Sequence, residues 1–322
     1  MSRQFIINTS HHLYGNVYRL NIPKGIILTS NHEVCLSSCS FFNSSFNMMA
    51  KWGNNKIIIL SDNFNLNSIT LNSTVTNKGT VYTDPRNNTV IYRNFIEITF
   101  KDGYYDIPSI ENYLQNAYQL IGFLLESTDA QSNMFFTEFI TNPQLYKAQI
   151  NIAPIPSVLP TDFQLPSNAC FSLGASDSSP YIYFPAGLTS SYGGINDIFG
   201  FNNQCLPSTP NNENRNINTT TATENLSIKT PKVSPITCYV VGCSIVRNDL
   251  FNPSDILAQL SLGQSKFGGI IPYSDYPIFI TCENQNTKNI TIHLYDEYLN
   301  ELEFQDKQMS LVLTIKENKI YT

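Results

Sequence analysis

Five side chains of the kind that bind transition metals crowd into the start of the chain: His11, His12, His32, Cys35 and Cys39. Their spacing argues against a shared ion. Cys35 and Cys39 are four residues apart in a strand-like segment, roughly 13 Å along an extended backbone. A zinc knuckle holds its cysteines three residues apart, as CxxC, on a tight turn. Buried, reduced thiols are the expected state of both. Cys238 and Cys243, five apart along another strand, should point to opposite faces. A second constellation is acidic: Asp296, Glu297, Glu301 and Glu303. Paired catalytic carboxylates need a cleft that drives their pKa values apart. At the tip of a charged hairpin they are expected to be solvated instead. No GxSxG elbow, GK[ST] phosphate loop, HExxH helix or GxGxxG turn occurs. His293 alternates with Ile292 and Leu294 and is expected to face solvent or an interface. No catalytic, cofactor-binding or metal-binding residue is assigned, no cofactor is expected, and the chain is not read as an enzyme.

The elements that would have to position such groups are mostly strands. Ile96, Ile98 and Phe100 alternate with Glu97 and Thr99, and Ala148, Ile150 and Ile152 with Gln149 and Asn151. Ile26–Met49 reads as a long β-like stretch and Ile57–Leu60 as a short apolar strand. From Ile236 to Ile315 almost everything is strand-forming and ends in a hairpin. One helix interrupts this pattern: Ile110, Tyr113, Leu114, Ala117 and Ile121 recur at helical spacing, with Pro108 placed for a first turn. Residues 1–24 look like an N-terminal arm. Ser61–Asn88 and Pro207–Lys232 are polar, rich in Asn, Thr and Ser, and read as insertions. Gly193–Gly194 and Gly268–Gly269 mark turns or bulges.

Composition narrows the function classes. Of 322 residues only 14% are charged and 12% are aromatic, and the net charge is −6. Few charges with many aromatics suit extensive sheet and large uncharged contact surfaces. Positive charge is nowhere denser than Lys229 and Lys232, so direct binding to nucleic acid, which needs clustered cations, is not expected. Apolar runs such as Leu120–Leu125 are too short to span a bilayer. The apolar stretch near Phe5 is too short for a secretion signal, so the chain is expected to be made in the cytosol. Its seven cysteines are then reduced.

Three blocks, in order, resemble one family. They are TFKDGYYDIPSIENYLQ at Thr99–Gln115, the short Ile198–Phe199–Gly200–Phe201, and the C-terminal run CYVVGCSIVRND, ILAQLSL and ITIHLYDEYLNELEF through MSLVLTI. Together they are similar to the jelly-roll capsid proteins of virophages and Polinton-like viruses. Lys101 stands where that family usually has Pro, and Phe199 where it has Leu. The resemblance implies an all-β fold: an antiparallel eight-stranded jelly-roll sandwich with one short helix and loop insertions, spanning residues 25–322 behind the arm. It further implies a virion structural protein of the penton type, a minor capsid protein forming homopentamers at icosahedral five-fold vertices. Its partners would be copies of itself and a neighbouring major capsid protein. It would reside in the virion, assembled in the host cytoplasm or virus factory. Two other readings stand beside it. A compact double-jelly-roll major capsid protein would divide at Met1–Pro166 and Ser167–Thr322 and form trimers. A glycan-binding or adhesin-like β-sandwich would use surface aromatics with Asn or Asp.

Overall fold

The computed structural model describes residues 2–318 apart from 130–131, 175–177, 189–192, 203–204, 208–222, 232–235, 251, 264 and 272–276. Most of Pro207–Lys232 therefore lies outside the described residues. The chain forms two compact units, one made of Met1–Phe46 with Ile236–Thr322 and the other of Asn47–Pro235. The second is inserted into the first.

The first unit begins with strands β1 (Ser2–Asn8), β2 (His12–Tyr14), β3 (Val17–Leu28) and β4 (His32–Phe41). The inserted unit contributes β5 (Lys56–Leu60), β6 (Val75–Gly79), β7 (Tyr82–Thr83), β8 (Val90–Ile91) and β9 (Phe95–Thr99). Helix α1 (Ile107–Ile121) follows, then β10 (Leu124–Ser127), β11 (Met134–Phe135), β12 (Thr137–Asn142), β13 (Lys147–Ile152), β14 (Phe163–Gln164) and β15 (Tyr181–Tyr183). It closes with α2 (Ile195–Phe199), β16 (Cys205–Leu206) and β17 (Thr223–Leu226). The chain then returns to the first unit as β18 (Cys238–Cys243), β19 (Ile256–Ser261), β20 (Ile280–Thr281), β21 (Gln285–Tyr295) and β22 (Met309–Glu317).

In the first unit one sheet runs β1-β22-β4-β20 and the other β19-β18-β21-β3-β2, all antiparallel. Setting aside the short β2, eight strands remain. By chain order, the first, eighth, third and sixth form one sheet, and the fifth, fourth, seventh and second form the other. That is the strand order of a jelly roll. Alternation explains the faces: Leu311, Leu313 and Ile315 of β22 point into the core, while Ser310, Val312 and Thr314 point away. Opposite them lie Ile292 and Leu294 of β21 and Tyr239, Val241 and Cys243 of β18. These inward residues fill the sandwich with aliphatic side chains around Phe41, Tyr239 and Phe304.

The inserted unit carries a five-stranded sheet, β16-β15-β5-β9-β6, and a three-stranded sheet, β12-β13-β17. Helix α1 buries Ile107, Ile110, Leu114, Ala117, Tyr118 and Ile121 in the core they share. Asp106 caps it by accepting the Ser109 N–H at 2.9 Å. Gly122 ends it with a left-handed φ of 68°, and a Cβ there would come within 2.5 Å of the Asn168 carbonyl oxygen. Glu111 accepts the Phe139 N–H and a Gln115 amide N–H.

Several sequence expectations hold: the strands at Ile57–Leu60, Phe95–Thr99 and Lys147–Ile152 and the helix all form. Two domain boundaries differ. Residues 1–24 are not an arm, because Ser2–Asn8 pairs along its whole length with β22 and Val17–Leu28 pairs with β21. The interruption of the jelly roll is not confined to 61–88 and 207–232 but extends over Asn47–Pro235. The DGYYDI block consequently belongs to the inserted unit. The division also falls elsewhere than the Pro166–Ser167 junction that two tandem sandwiches would require.

Candidate functional site

The residues with chemical potential are each engaged locally. The Asn8 N–H donates to His11 Nδ1, His12 Nε2 lies 3.0 Å from the Gly15 carbonyl, and His32 Nδ1 receives the Thr29 N–H. Cys35 and Cys39 both lie on β4, where the pairing with β22 shifts between Val312 and Leu313. That bulge reverses the facing of the strand. Val34 and Leu36 point into the core before it, whereas Cys39 and Phe41 pack on the core after it. Cys35 is therefore on the opposite face from Cys39, and the two cannot share a ligand. Cys238 and Cys243 also divide between faces, as their spacing predicts.

Burial pushes the thiols upward: Cys39 to about 11, and Cys170, Cys243 and Cys282 to about 12. They stay protonated at neutral pH, which is the wrong state for a nucleophile or a metal ligand. Among the described residues, no group of three or more His, Cys, Asp and Glu is placed to hold a metal ion. No helix among them is long and apolar enough to cross a membrane.

The acidic hairpin departs from expectation. Asp296 is fully buried rather than solvated, and accepts the Tyr298 and Asn300 N–H groups and the Asn300 side-chain amide. It is the organiser of the tight turn between β21 and the Glu301 bridge to Tyr295. Glu297 reaches back to the N–H and hydroxyl of Thr237. Both carboxylates thus build the loop at that end of the jelly roll. His293 is half-buried and stacks on Tyr295 with ring centres 5.8 Å apart, outside the core, as the alternation predicts.

What the first unit does offer is surface for association. Among the described residues its two sheets end in strands paired on one side only: β1 and β20 in one sheet, β19 and β2 in the other. The β1 sequence, SRQFIIN, contains no proline and no acidic residue, and Arg3 is its only charge. Such an edge lacks the devices that keep strands from pairing with other chains. Exposed apolar groups lie on it and on the other sheet: Ile6 of β1 is 57% exposed, Tyr14 of β2 60% and Ile27 of β3 69%. Sequence reading missed this edge, because the segment that forms it reads as an arm.

The first unit is a jelly roll with a filled interior, interrupted once. No protein-family model and no curated protein matches the chain. Among solved structures it is similar to a chain in the cryo-EM structure of the Sputnik virophage. The two are 9% identical, the match covers 100% of this chain and 99% of the other, and the TM-score is 0.37. It is also similar to the mavirus penton protein at 8% identity, covering 98% of both chains, with a TM-score of 0.38.

Proposed function

We propose that the chain is a capsid structural protein of the penton type, a minor capsid protein whose jelly roll forms homopentamers at five-fold vertices of the virion. The observation that carries this reading is the strand order of the first unit around a closed, aliphatic core. Jelly rolls serve as capsid subunits, as lectins and as cupins. A cupin uses its interior for a metal and substrate, and here Ile7, Val34, Leu36, Leu294 and Leu313 occupy that space. Fold alone does not assign function. The resemblance of the DGYYDI, FGF and C-terminal blocks to virophage and Polinton-like capsid proteins supplies the direction.

Assembly is then the mechanism. The free edge of β1 and the exposed Ile6, Tyr14 and Ile27 meet a neighbouring copy, and rotational symmetry repeats that heterologous contact until the ring closes. The outer rim contacts a major capsid protein. A single jelly roll among the described residues favours the penton over the trimeric double-jelly-roll reading, since the inserted unit's sheet order there, β16-β15-β5-β9-β6, is not that of a second jelly roll.

Native mass spectrometry of the full chain tests this. A five-chain species is expected, and Ile6→Lys should shift it toward monomer without unfolding the protein. A trimer would favour the major capsid reading. A monomer that persists at high concentration, alone and with candidate capsid partners, would remove the proposal.

A further inference from the structure

The inserted unit contains a cleft of about 340 Å³ that the assembly reading does not use. That volume lies at the small end of ordinary ligand pockets and accommodates a single sugar ring with its substituents. Lys56 of β5, Asn77 of β6, Tyr82 of β7, Phe95 and Glu97 of β9, and Arg86 of the turn between β7 and β8 line it. All six lie within one compact unit, and pairing of β5 and β6 to the two sides of β9 brings three of their strands together.

Its floor is aromatic: Tyr82 packs edge-on against Phe95 with ring centres 5.3 Å apart. Its walls alternate donors and acceptors. Lys56 Nζ lies 2.8 Å from Glu97 Oε1, an oxygen that also accepts the Thr76 hydroxyl. Glu97 Oε2 is left to accept from a ligand. Asn77 uses its carbonyl on the Lys78 N–H, which leaves its amide as a donor.

Tyr82 is the telling residue. It is 5% exposed, yet among the described residues its hydroxyl takes part in no hydrogen bond. Nor is that oxygen among the sealed, unpartnered polar atoms, which are Arg86 Nε and Asp255 Oδ1. The hydroxyl is therefore reachable from the cleft. A tyrosine hydroxyl that reaches a cleft without a partner among the described residues bonds water there, and a ligand that replaces that water takes over the bond. Burial, with the charges of Asp84 and Glu97, pushes its pKa upward, so it remains a donor. Asp84 itself is occupied by the Tyr183 hydroxyl and the Arg86 and Ala186 N–H groups, and does not compete.

We propose that this cleft is a saccharide-binding site, in which neighbouring hydroxyls of one sugar ring bridge Glu97 and Lys56 while the ring rests on Tyr82 and Phe95. A sugar hydroxyl both donates and accepts, so adjacent hydroxyls match a carboxylate and an ammonium held side by side. A simple anion would use only the cations and be repelled by Glu97.

The test uses the full chain and a panel of methyl glycosides (glucoside, galactoside, mannoside and N-acetylglucosaminide), read by saturation-transfer NMR and titration calorimetry. At least one should bind, and Tyr82→Phe should weaken it about fivefold, the loss of a single hydrogen bond. Because the hydroxyl has no partner among the described residues, Tyr82→Phe should melt at the wild-type temperature. Asn77→Ala, an exposed position, should also weaken binding. Failure of every glycoside to bind overturns the proposal, as does binding that Tyr82→Phe leaves unchanged. Inorganic phosphate displacing the sugar at equal concentration would overturn it too, by revealing an anion site.

Discussion

The two units reach a compact core by different means. In the jelly roll the strands are long: β3 has 12 residues, β21 has 11, β4 has 10 and β22 has 9. Ladder pairing sets the register, and aliphatic side chains fill the centre. In the inserted unit no strand among the described residues exceeds six residues. Rings fill the space instead: Phe123 lies 4.9 Å from Phe64 and 5.1 Å from Phe136, and Phe136 lies 5.1 Å from Phe171. A second group joins Phe139, Phe184, Phe199 and Phe201. Where short strands fix few neighbours, large rigid side chains take over the specification of shape. A fold held by ladders has little freedom to vary. One held by rings and loops has room for a cleft.

That contrast can be broken most directly at Leu313, which is fully buried in the jelly roll. Leu313→Asp places a charge without a partner in the aliphatic core, at a cost above about 4 kcal/mol. Differential scanning calorimetry should lose the jelly-roll transition and keep that of the inserted unit. Loss of both together would show that the units unfold as one.

The reciprocal change is Phe136→Ala, which removes a fully buried ring from the aromatic cluster. About 3–5 kcal/mol of the inserted unit's stability should go, read as a lower denaturation midpoint for that unit alone. A loss below about 1 kcal/mol would mean that the rings are loosely packed and do not define the unit.

Tyr239→Phe sharpens the comparison at the point where the chain leaves and re-enters the jelly roll. The Tyr239 hydroxyl is 2.8 Å from both Asn43 Oδ1 and Ser45 Oγ. Its removal should lower jelly-roll stability by about 1–2 kcal/mol, because buried partners are left unsatisfied. Chemical denaturation of this variant should leave the inserted unit's midpoint in place.

The smallest effect concerns Glu111 in α1, whose carboxyl burial pushes above its ordinary value, partly offset by the Phe139 and Gln115 bonds. A raised folded pKa means that the native unit holds the proton more tightly than the unfolded chain. Its contribution is full below the unfolded value and fades as pH rises through the folded one. The inserted unit should therefore lose a little stability as pH rises through and just above the carboxylate range. Glu111→Gln should flatten that part of a melting-temperature profile, and an unchanged profile would count against the assignment.

Much of this architecture is legible in the residues because burial follows simple periods. Ile292 and Leu294 flank an outward His293, Ala148, Ile150 and Ile152 all face inward, and α1 buries the residues spaced for a helix. The first strand is not legible, since along SRQFIIN only Ile7 is fully buried and an edge strand imposes no stronger pattern. The insertion boundaries are legible on one side only. Composition changes at Ile236, where the polar Pro207–Lys232 stretch gives way to strand-forming sequence, but Phe46–Asn47 carries no such change, because that boundary is made by strands pairing far apart in sequence. The cleft escapes for a related reason: its residues sit on separate strands, and the polarity of Ser61–Asn88 hides the buried Tyr82. Asp296 shows the converse error. An acidic residue at a hairpin suggests solvent, yet backbone N–H groups in the turn supply the environment that lets it be buried.

The pairing of β1 with β22 has a consequence for synthesis. A ribosome delivers β1 long before β22, its one partner strand among the described residues, so the jelly roll cannot close until β22 has been made. The inserted unit, continuous from Asn47 to Pro235, has all its own parts in hand well before then. During translation the nascent protein therefore carries a finished module preceded by strands β1, β3 and β4, whose partners β21 and β22 are not yet made, and this is the interval in which chaperones would be needed and wrong neighbours met.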